Sequence, residues 1–336
     1  MVRKKVFIIL IGVIVISAVG FFAWKFLPLN KDNKAAEQPP PAEDVKSIEY
    51  ITSEPITDPV LAYDNLSIWF FDKSGNLLRQ HLSDKSDLKQ YPLPEHGEGN
   101  WVLWPDSGSD FIIGTEDEKL WYDSRSDKFI PYPDGVKYIV WMPGARRVAY
   151  VWSSAEATGL YAALPNATDY KRIAGLPHAG FRIAPSPNGQ SFALFDGSGR
   201  MPIYFVIQGI GVLEPITNNL AVEVAKFSPE GNRLAFIENR EGNGYLNILD
   251  ISSRAIKLVG TINTQFNFTW SAKGDKLVWP DMFGRLQVFN AASGALEDIP
   301  SEIAKLKVKY IIPGRDDDEF FFQDLDSGRL GKFLLK

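Results

Sequence analysis

The chain has 336 residues, 45% of them apolar, and its 9 Trp, 12 Tyr and 22 Phe are enough to fill a large core. It contains no Cys, which excludes disulfides, thiolate metal sites, a Cys nucleophile and a lipid-modified cysteine. Net charge is −5, but the first 30 residues carry four basic groups and no acid; the remainder holds 32 basic against 41 acidic groups, and so acidic a surface argues against nucleic acid as a partner.

Residues 1–5 form a basic end with Arg3, Lys4 and Lys5, followed by 19 uncharged, mostly apolar positions at 6–24 (VFIILIGVIVISAVGFFAW). At about 1.5 Å per residue a helix over them covers about 28 Å, close to the hydrocarbon thickness of a bilayer. A transmembrane helix is expected here, with the N-terminus held in the cytoplasm by the basic end. The expected location is a single pass through the cytoplasmic membrane, with the rest of the chain extracytoplasmic. A cleaved signal peptide is the competing reading, with Ala18-Val19-Gly20 as the site. The apolar run continues past that site through Phe21, Phe22 and Trp24. A buried helix of a soluble protein is a third. Residues 25–46 read as a flexible tether, charged and containing Pro39-Pro40-Pro41, a composition that cannot bury enough apolar area to order itself.

From residue 47 onward the pattern is strands and turns. FSPEGNRLAFI (227–237) reads as a strand end, a polar turn and a second apolar strand. WSAKGDKLVW (270–279) copies it closely; PSPNGQSFAL (185–194), WPDSGSDFII (104–113) and WMPGARRVAY (141–150) do so loosely. A period of about 40 residues without helical patterning predicts a β-propeller with one four-stranded blade per repeat. The fold class expected is all-β, a seven-bladed propeller over 47–336, preceded by one transmembrane helix. Inner strands fall near 59, 101, 138, 181, 223, 266 and 308. Blade two shows the scheme, with strands at 100–104, 111–113, 119–122 and 128–131. The last start has room for only three strands, at 308–312, 319–322 and 330–335. Residues 47–52 (SIEYIT) are therefore assigned as the outer strand of blade seven, closing the ring and removing exposed sheet edges. The alternative is six blades, with the degenerate first repeat as a cap.

The two strongest repeats resemble the TolB-type, WD-like repeat of bacterial propellers, whose pattern is aromatic-Ser-Pro-Asp-Gly-x-x-apolar. The resemblance covers about 290 residues. The Trp-Asp dipeptide of true WD repeats is absent, and so is the separate α/β domain of TolB. What it implies is a propeller that binds proteins or peptides, not membership of the Tol system.

Chemistry-bearing motifs are sparse. His81, His96 and His178 lie in different blades without metal spacing or a triad, and read as solvent-facing or loop residues. No Gly-x-Ser-x-Gly occurs. The run Arg315-Asp-Asp-Asp-Glu319 offers hard oxygen ligands for Ca²⁺, but lacks spaced ligands and an interior Gly, and reads as a solvated turn. Hairpins between second and third strands repeat a theme, with Asp72-Lys-Ser-Gly75, Asp196-Gly-Ser-Gly-Arg200, Asp281-Met-Phe-Gly-Arg285 and Asp326-Ser-Gly-Arg329 on one face. They are either a charged rim for a polar partner or ordinary turn chemistry. The segments 153–159 and 238–244 are expected to extend furthest. Candidate partner-binding residues are Glu156, Arg200, Glu238, Arg240, Glu241, Asp281, Phe283 and Arg285. Trp104, Trp141, Phe227 and Trp270 read as wedges between blades rather than as a sugar platform. Sequons stand at Asn65, Asn166 and Asn267.

The function expected is a monomeric, non-catalytic scaffold for a protein or peptide partner in the cell envelope, without cofactor or metal. A carbohydrate- or peptidoglycan-binding module is the alternative. A glycosidase-like enzyme would need two carboxylates about 5–9.5 Å apart in a cleft.

Overall fold

The computed structural model describes residues 48–62, 66–84, 86–93, 101–104, 110–114 and 118–335. The basic end, the expected helix at 6–24, the tether, His96, Asn65 and the turn at 105–109 lie outside the described residues. No helix among the described residues is long and apolar enough to cross a membrane.

The described strands form seven antiparallel sheets of four. Blade one is Ile56–Leu61, Ser67–Asp72, Leu77–His81 and Leu88–Tyr91; blade two is Trp101–Leu103, Phe111–Gly114, Lys119–Asp123 and Lys128–Pro131. Blade three is Val136–Met142, Arg147–Ser153, Thr158–Ala163 and Lys171–Gly175, and blade four is Arg182–Pro185, Ser191–Phe195, Pro202–Ile207 and Glu214–Asn219. Blade five is Val222–Phe227, Arg233–Arg240, Asn243–Asp250 and Ile256–Ile262, and blade six is Thr269–Trp270, Lys276–Pro280, Leu286–Asn290 and Ala295–Leu296. Blade seven runs Val308–Pro313, Glu319–Asp324 and Leu330–Leu334, and its outer strand is Ile48–Tyr50. That strand pairs Ile48 with Phe333 and Tyr50 with Gly331.

The six-blade alternative is corrected. The first repeat lost its landmark aromatic but kept a fully formed sheet, whose second strand buries Ile68, Trp69, Phe70 and Phe71 against its neighbours. A cap would have left one of those faces in water.

Apolar burial is divided among the junctions between blades rather than gathered in one core. Phe181, Phe192 and Val206 of blade four pack on Met142, Val151 and Leu160 of blade three. The ring closes the same way, with Ile312, Phe321 and Leu330 of blade seven against Ile56, Ile68 and Phe70 of blade one. The landmark aromatics are wedges, as expected. Trp104 stacks on Trp69 of blade one at 4.1 Å, and Phe227 packs against blade four beside Phe205. The Trp141 indole N–H donates to Leu103 O of blade two, and that of Trp270 to Lys226 O of blade five.

Inner strands expose one unpaired edge to the channel, and side chains from neighbouring blades partly satisfy it. Arg182 donates to Glu223 O, Lys226 Nζ to Phe268 O at 2.8 Å, and Asn267 makes a reciprocal pair with the Ile311 backbone at 2.6 and 2.7 Å. The Asn267 sequon is thus held inside a junction. Lys226 is only half-buried along its length, but its ammonium is enclosed, and burial pushes its pKa down to about 8. A lysine whose folded pKa lies below its unfolded value of 10.5 destabilises the fold below pH 8, and the cost is relieved as pH rises toward 10. Relative to Lys226→Met, the native chain should gain about 1–2 kcal/mol of stability between pH 7 and 10, after discounting for residual solvation. Parallel denaturant titrations at the two pH values measure this, and equal slopes for both proteins would refute it.

Candidate functional site

Strand alternation places all hairpins between second and third strands on one face, together with the connections from each blade to the next. Backbone bonds knit this face together. Asn239 N donates to Ala221 O and Leu325 N to Lys307 O within blades; Val222 N donates to Asp196 O, Val308 N to Gly284 O and Ile56 N to Gly328 O across junctions. Hairpins tied twice in this way are preorganised, so a ligand need not order them.

The Asp residues of these hairpins serve the turns themselves. Asp72 accepts from Ser74 N and Asn76 N, Asp196 from Ser198 N, and Asp281 from Phe283 N, Arg285 N and the Arg285 guanidinium. In blade seven this role falls to Asp324, which accepts from Ser327 N, rather than to Asp326. Turn chemistry therefore accounts for the recurring Asp and Gly.

The eight candidate residues occupy the hairpins of four adjacent blades, and the structure brings some of them together. Glu238, Arg240 and Glu241 share the blade-five hairpin, where Arg240 pairs with buried Glu238 at 2.7 Å and lies over Tyr245. Pairing runs out to Arg240 opposite Asn243, so 238–244 is a β-ribbon and not a loop. Glu241 and Gly242 form its turn, both with positive φ, the conformation that matches strand twist in a two-residue hairpin. The expected long loop at 153–159 is shorter than its composition suggests, because Ser153 pairs with Thr158 and only 154–157 turn. Asp281, Phe283 and Arg285 share the blade-six hairpin, where Arg285 lies over the Phe283 ring at 5.1 Å and Phe283 is 71% exposed. Glu156 and Arg200 stand alone and exposed on blades three and four.

Sequence reasoning missed the mouth of the channel on this face. Inner strands of blades one, three, five and seven carry β-bulges at their start, and the unpaired residues include Asp58, Lys137, Glu223 and Lys309. A bulge lifts one residue out of the ladder and re-aims it. Glu223 takes Arg182 of blade four at 3.2 Å and Asn239 at the base of the blade-five ribbon, and Asn239 in turn accepts from Gly242 N. Ribbon and mouth are thus one hydrogen-bonded unit. The signal was present as a second repeat, VKYI at 136–139 and again at 308–311, with VEVA at 222–225.

His178 lies in the loop between blades three and four, as expected of a solvent-facing or loop residue, and there it points Nε2 at the buried Asp196 carboxylate, 3.2 Å away, while Nδ1 accepts from Gly180 N. This leaves Nε2 to carry the proton and donate to Asp196. The acidic run at 315–319 diverges. Asp317 accepts from Lys273 N, Asp318 holds Lys276, and Glu319 pairs with Lys332. Among the described residues no three His, Asp or Glu side chains converge as metal ligands would. Phe283 and Tyr170, the exposed aromatic rings of the described residues, lie on opposite faces, which forms no sugar platform.

The architecture defines a seven-bladed β-propeller closed by strands from both ends of the described chain. Solved structures agree in fold. The β-propeller domain of Cps50 (Swd1) from Myceliophteria thermophila superposes with a TM-score of 0.60 at 13% identity, over 85% of this chain and 98% of that one. Hydrazine synthase from Kuenenia stuttgartiensis gives 0.58 at 11% identity, over 88% and 99%. YCF48 bound to D1 peptide gives 0.57 at 16% identity, over 88% and 99%. No protein-family model matches the chain, and no curated protein is similar in sequence.

Proposed function

We propose that this protein is a non-catalytic docking scaffold whose hairpin face, over blades three to six, binds a protein or peptide. The observation that carries this is the blade-six hairpin, where Asp281 accepts from the Phe283 backbone N–H and the exposed Phe283 ring has a guanidinium against it. An aromatic and an Arg side by side in a rigid frame are the residue types that dominate binding at protein interfaces. Around them the exposed side chains are of mixed sign, with Glu156, Arg200 and Glu241 in turn. A peptide-bound propeller among the structural neighbours supports the same class of partner. The repeat's likeness to TolB-type propellers and the apolar segment at 6–24 support a membrane-anchored, extracytoplasmic bacterial form, a monomer reaching its partner on the tether at 25–46.

Photo-crosslinkers placed at positions 241 and 283 of the full-length chain in intact membranes test the reading. Both should yield one and the same adduct, which a crosslinker at Leu258, on the outer strand of blade five, does not give. Phe283→Ala should weaken that complex by about 30-fold or more, as loss of a hot-spot ring does, without moving the melting temperature. Different adducts at the two positions, or an unchanged complex with Phe283→Ala, would count against a single docking face.

A further inference from the structure

On the opposite face, where inner strands turn into second strands, the channel opens into a hollow of about 380 Å³. Its apolar wall is built by Leu61 of blade one, Phe227 of blade five, Trp270 of blade six and Pro313 of blade seven. Lys226 and Arg315 also line it.

Neither cation has an acid for a partner among the described residues. The Lys226 ammonium has a neutral carbonyl, Phe268 O, and the face of the Phe268 ring at 5.3 Å. Arg315 is exposed, and Glu319 accepts from its backbone N–H while pairing with Lys332. Asp317 and Asp318 are engaged with Lys273 and Lys276 of blade six, and Glu223, on the Lys226 strand, is held by Arg182 and Asn239 at the other mouth. Asp316 lines a separate hollow between blades seven and one, which Arg315 also borders. Two positive groups, one enclosed and one exposed at the rim, therefore share a hollow with no acid among the described residues to balance them. Such an arrangement costs free energy that an incoming anion returns.

The walls decide which anion. A multiply charged, strongly hydrated one would lose water against Leu61, Phe227 and Trp270 without compensation. A single carboxylate carrying an apolar body meets both halves, its oxygens on the guanidinium fork and the ammonium, its body on the rings. We propose that this hollow binds a monocarboxylate with an apolar body, either a small free acid or the C-terminus of a chain ending in an apolar residue. The volume falls in the range of small-ligand sites, about 300–1,000 Å³. The hollow and the hairpins lie on different faces, so the two sites stand or fall separately.

The test uses the full-length chain and ligand-observed NMR titration with four probes. These are 3-phenylpropionate, 3-phenylpropanamide, and an eight-residue peptide ending in Phe with its terminus free or amidated. At least one acid should bind about 10-fold or more tightly than its amide, the margin of one charge-assisted contact. Preference for the free acid alone points to a small molecule, and preference for the peptide acid alone to a chain end; either supports the site. Arg315→Gln, an exposed change that leaves the fold intact, should abolish the preference, and Lys226→Met should do the same. Equal binding of acid and amide in both pairs, a preference that survives Arg315→Gln, or no binding by either acid up to about 10 mM, far weaker than a built site gives, would overturn it.

Discussion

Removing residues 1–52 should lower the melting temperature by about 10 °C or more, whereas removing residues 1–46 should leave it nearly unchanged. The difference is one short strand. Ile48–Tyr50 supplies the outer ladder of blade seven, and just beyond it Ile51 N donates to Leu330 O while the Thr52 hydroxyl accepts from Leu330 N at 3.0 Å. Tyr50 is clamped twice, by Asp324 at 3.2 Å and by the Arg329 guanidinium 4.1 Å from its ring. Ile51 is 6% exposed and joins the cluster that seals blade seven to blade one. Losing that side chain alone costs about 2–4 kcal/mol. The unpaired ladder of Leu330–Leu334 and the two aromatic contacts bring the total to about 5 kcal/mol or more. The shortened protein should also self-associate, because its bared edge is a template for another strand. Calorimetric melts of the three chain lengths read the effect, with Ile51→Asp in the intact chain as the point-mutant counterpart. A chain starting at Ser53 that melts within about 2 °C of the intact protein, about one kcal/mol for a domain of this size, would show that the ring is held some other way.

That closing strand was legible because it was an arithmetic remainder: three strands after residue 308 and one unassigned before residue 56. Period and alternation are local properties, so the blades and their inner-strand starts could be read directly. Boundaries at the hairpins were less visible. Polar residues at 238–244 look like a loop by composition, yet they extend as paired ribbon because a Glu-Gly turn at 241–242 takes only two residues. The bonds between blades were hidden for another reason. Lys226 to Phe268, Asn267 to Ile311 and Trp270 to Lys226 each join residues one repeat apart, 42 or 44 positions along the chain. Each is a side chain reaching a backbone atom, and backbone atoms leave no mark in a sequence. The channel mouth and the pairing of His178 with Asp196 join side chains distant in sequence, whose meeting depends on how neighbouring elements are placed. The hollow on the opposite face was hidden in the same way, since Lys226 and Arg315 come from different blades and line one hollow only when the ring closes.

Trp279→Ala should destabilise the protein by about 4 kcal/mol, near the top of the range for a buried ring. Trp279 is the largest fully buried side chain among the described residues, 1% exposed, on the second strand of blade six. Its indole packs against the outer strand of blade five, where the Nε1–H donates to Thr261 O at 3.2 Å. The neighbouring Gly260 admits the ring for reasons of space alone. A Cβ there would stand 2.6 Å from Cζ2 of the indole, closer than any real contact. Gly260→Ala should therefore cost about 1–3 kcal/mol by overpacking, and Trp279→Phe should cost a comparable amount through the lost bond and area. Together they should cost less than their sum by about 1–2 kcal/mol, because the smaller ring vacates the volume the new methyl needs. The sign of that coupling separates a ring wedged between two blades from one that merely fills its own sheet, for which the two changes would add. The consequence reaches the proposed binding face. Ala221, the connector bonded to the blade-five ribbon, and Val308, bonded to the blade-six hairpin, enter sheets whose mutual angle is set by such wedges. If the hairpin face is the docking surface proposed above, a variant that loosens the Trp279 junction should weaken partner binding at Phe283 while leaving every residue of the hairpins in place, an effect that direct contact alone would not produce.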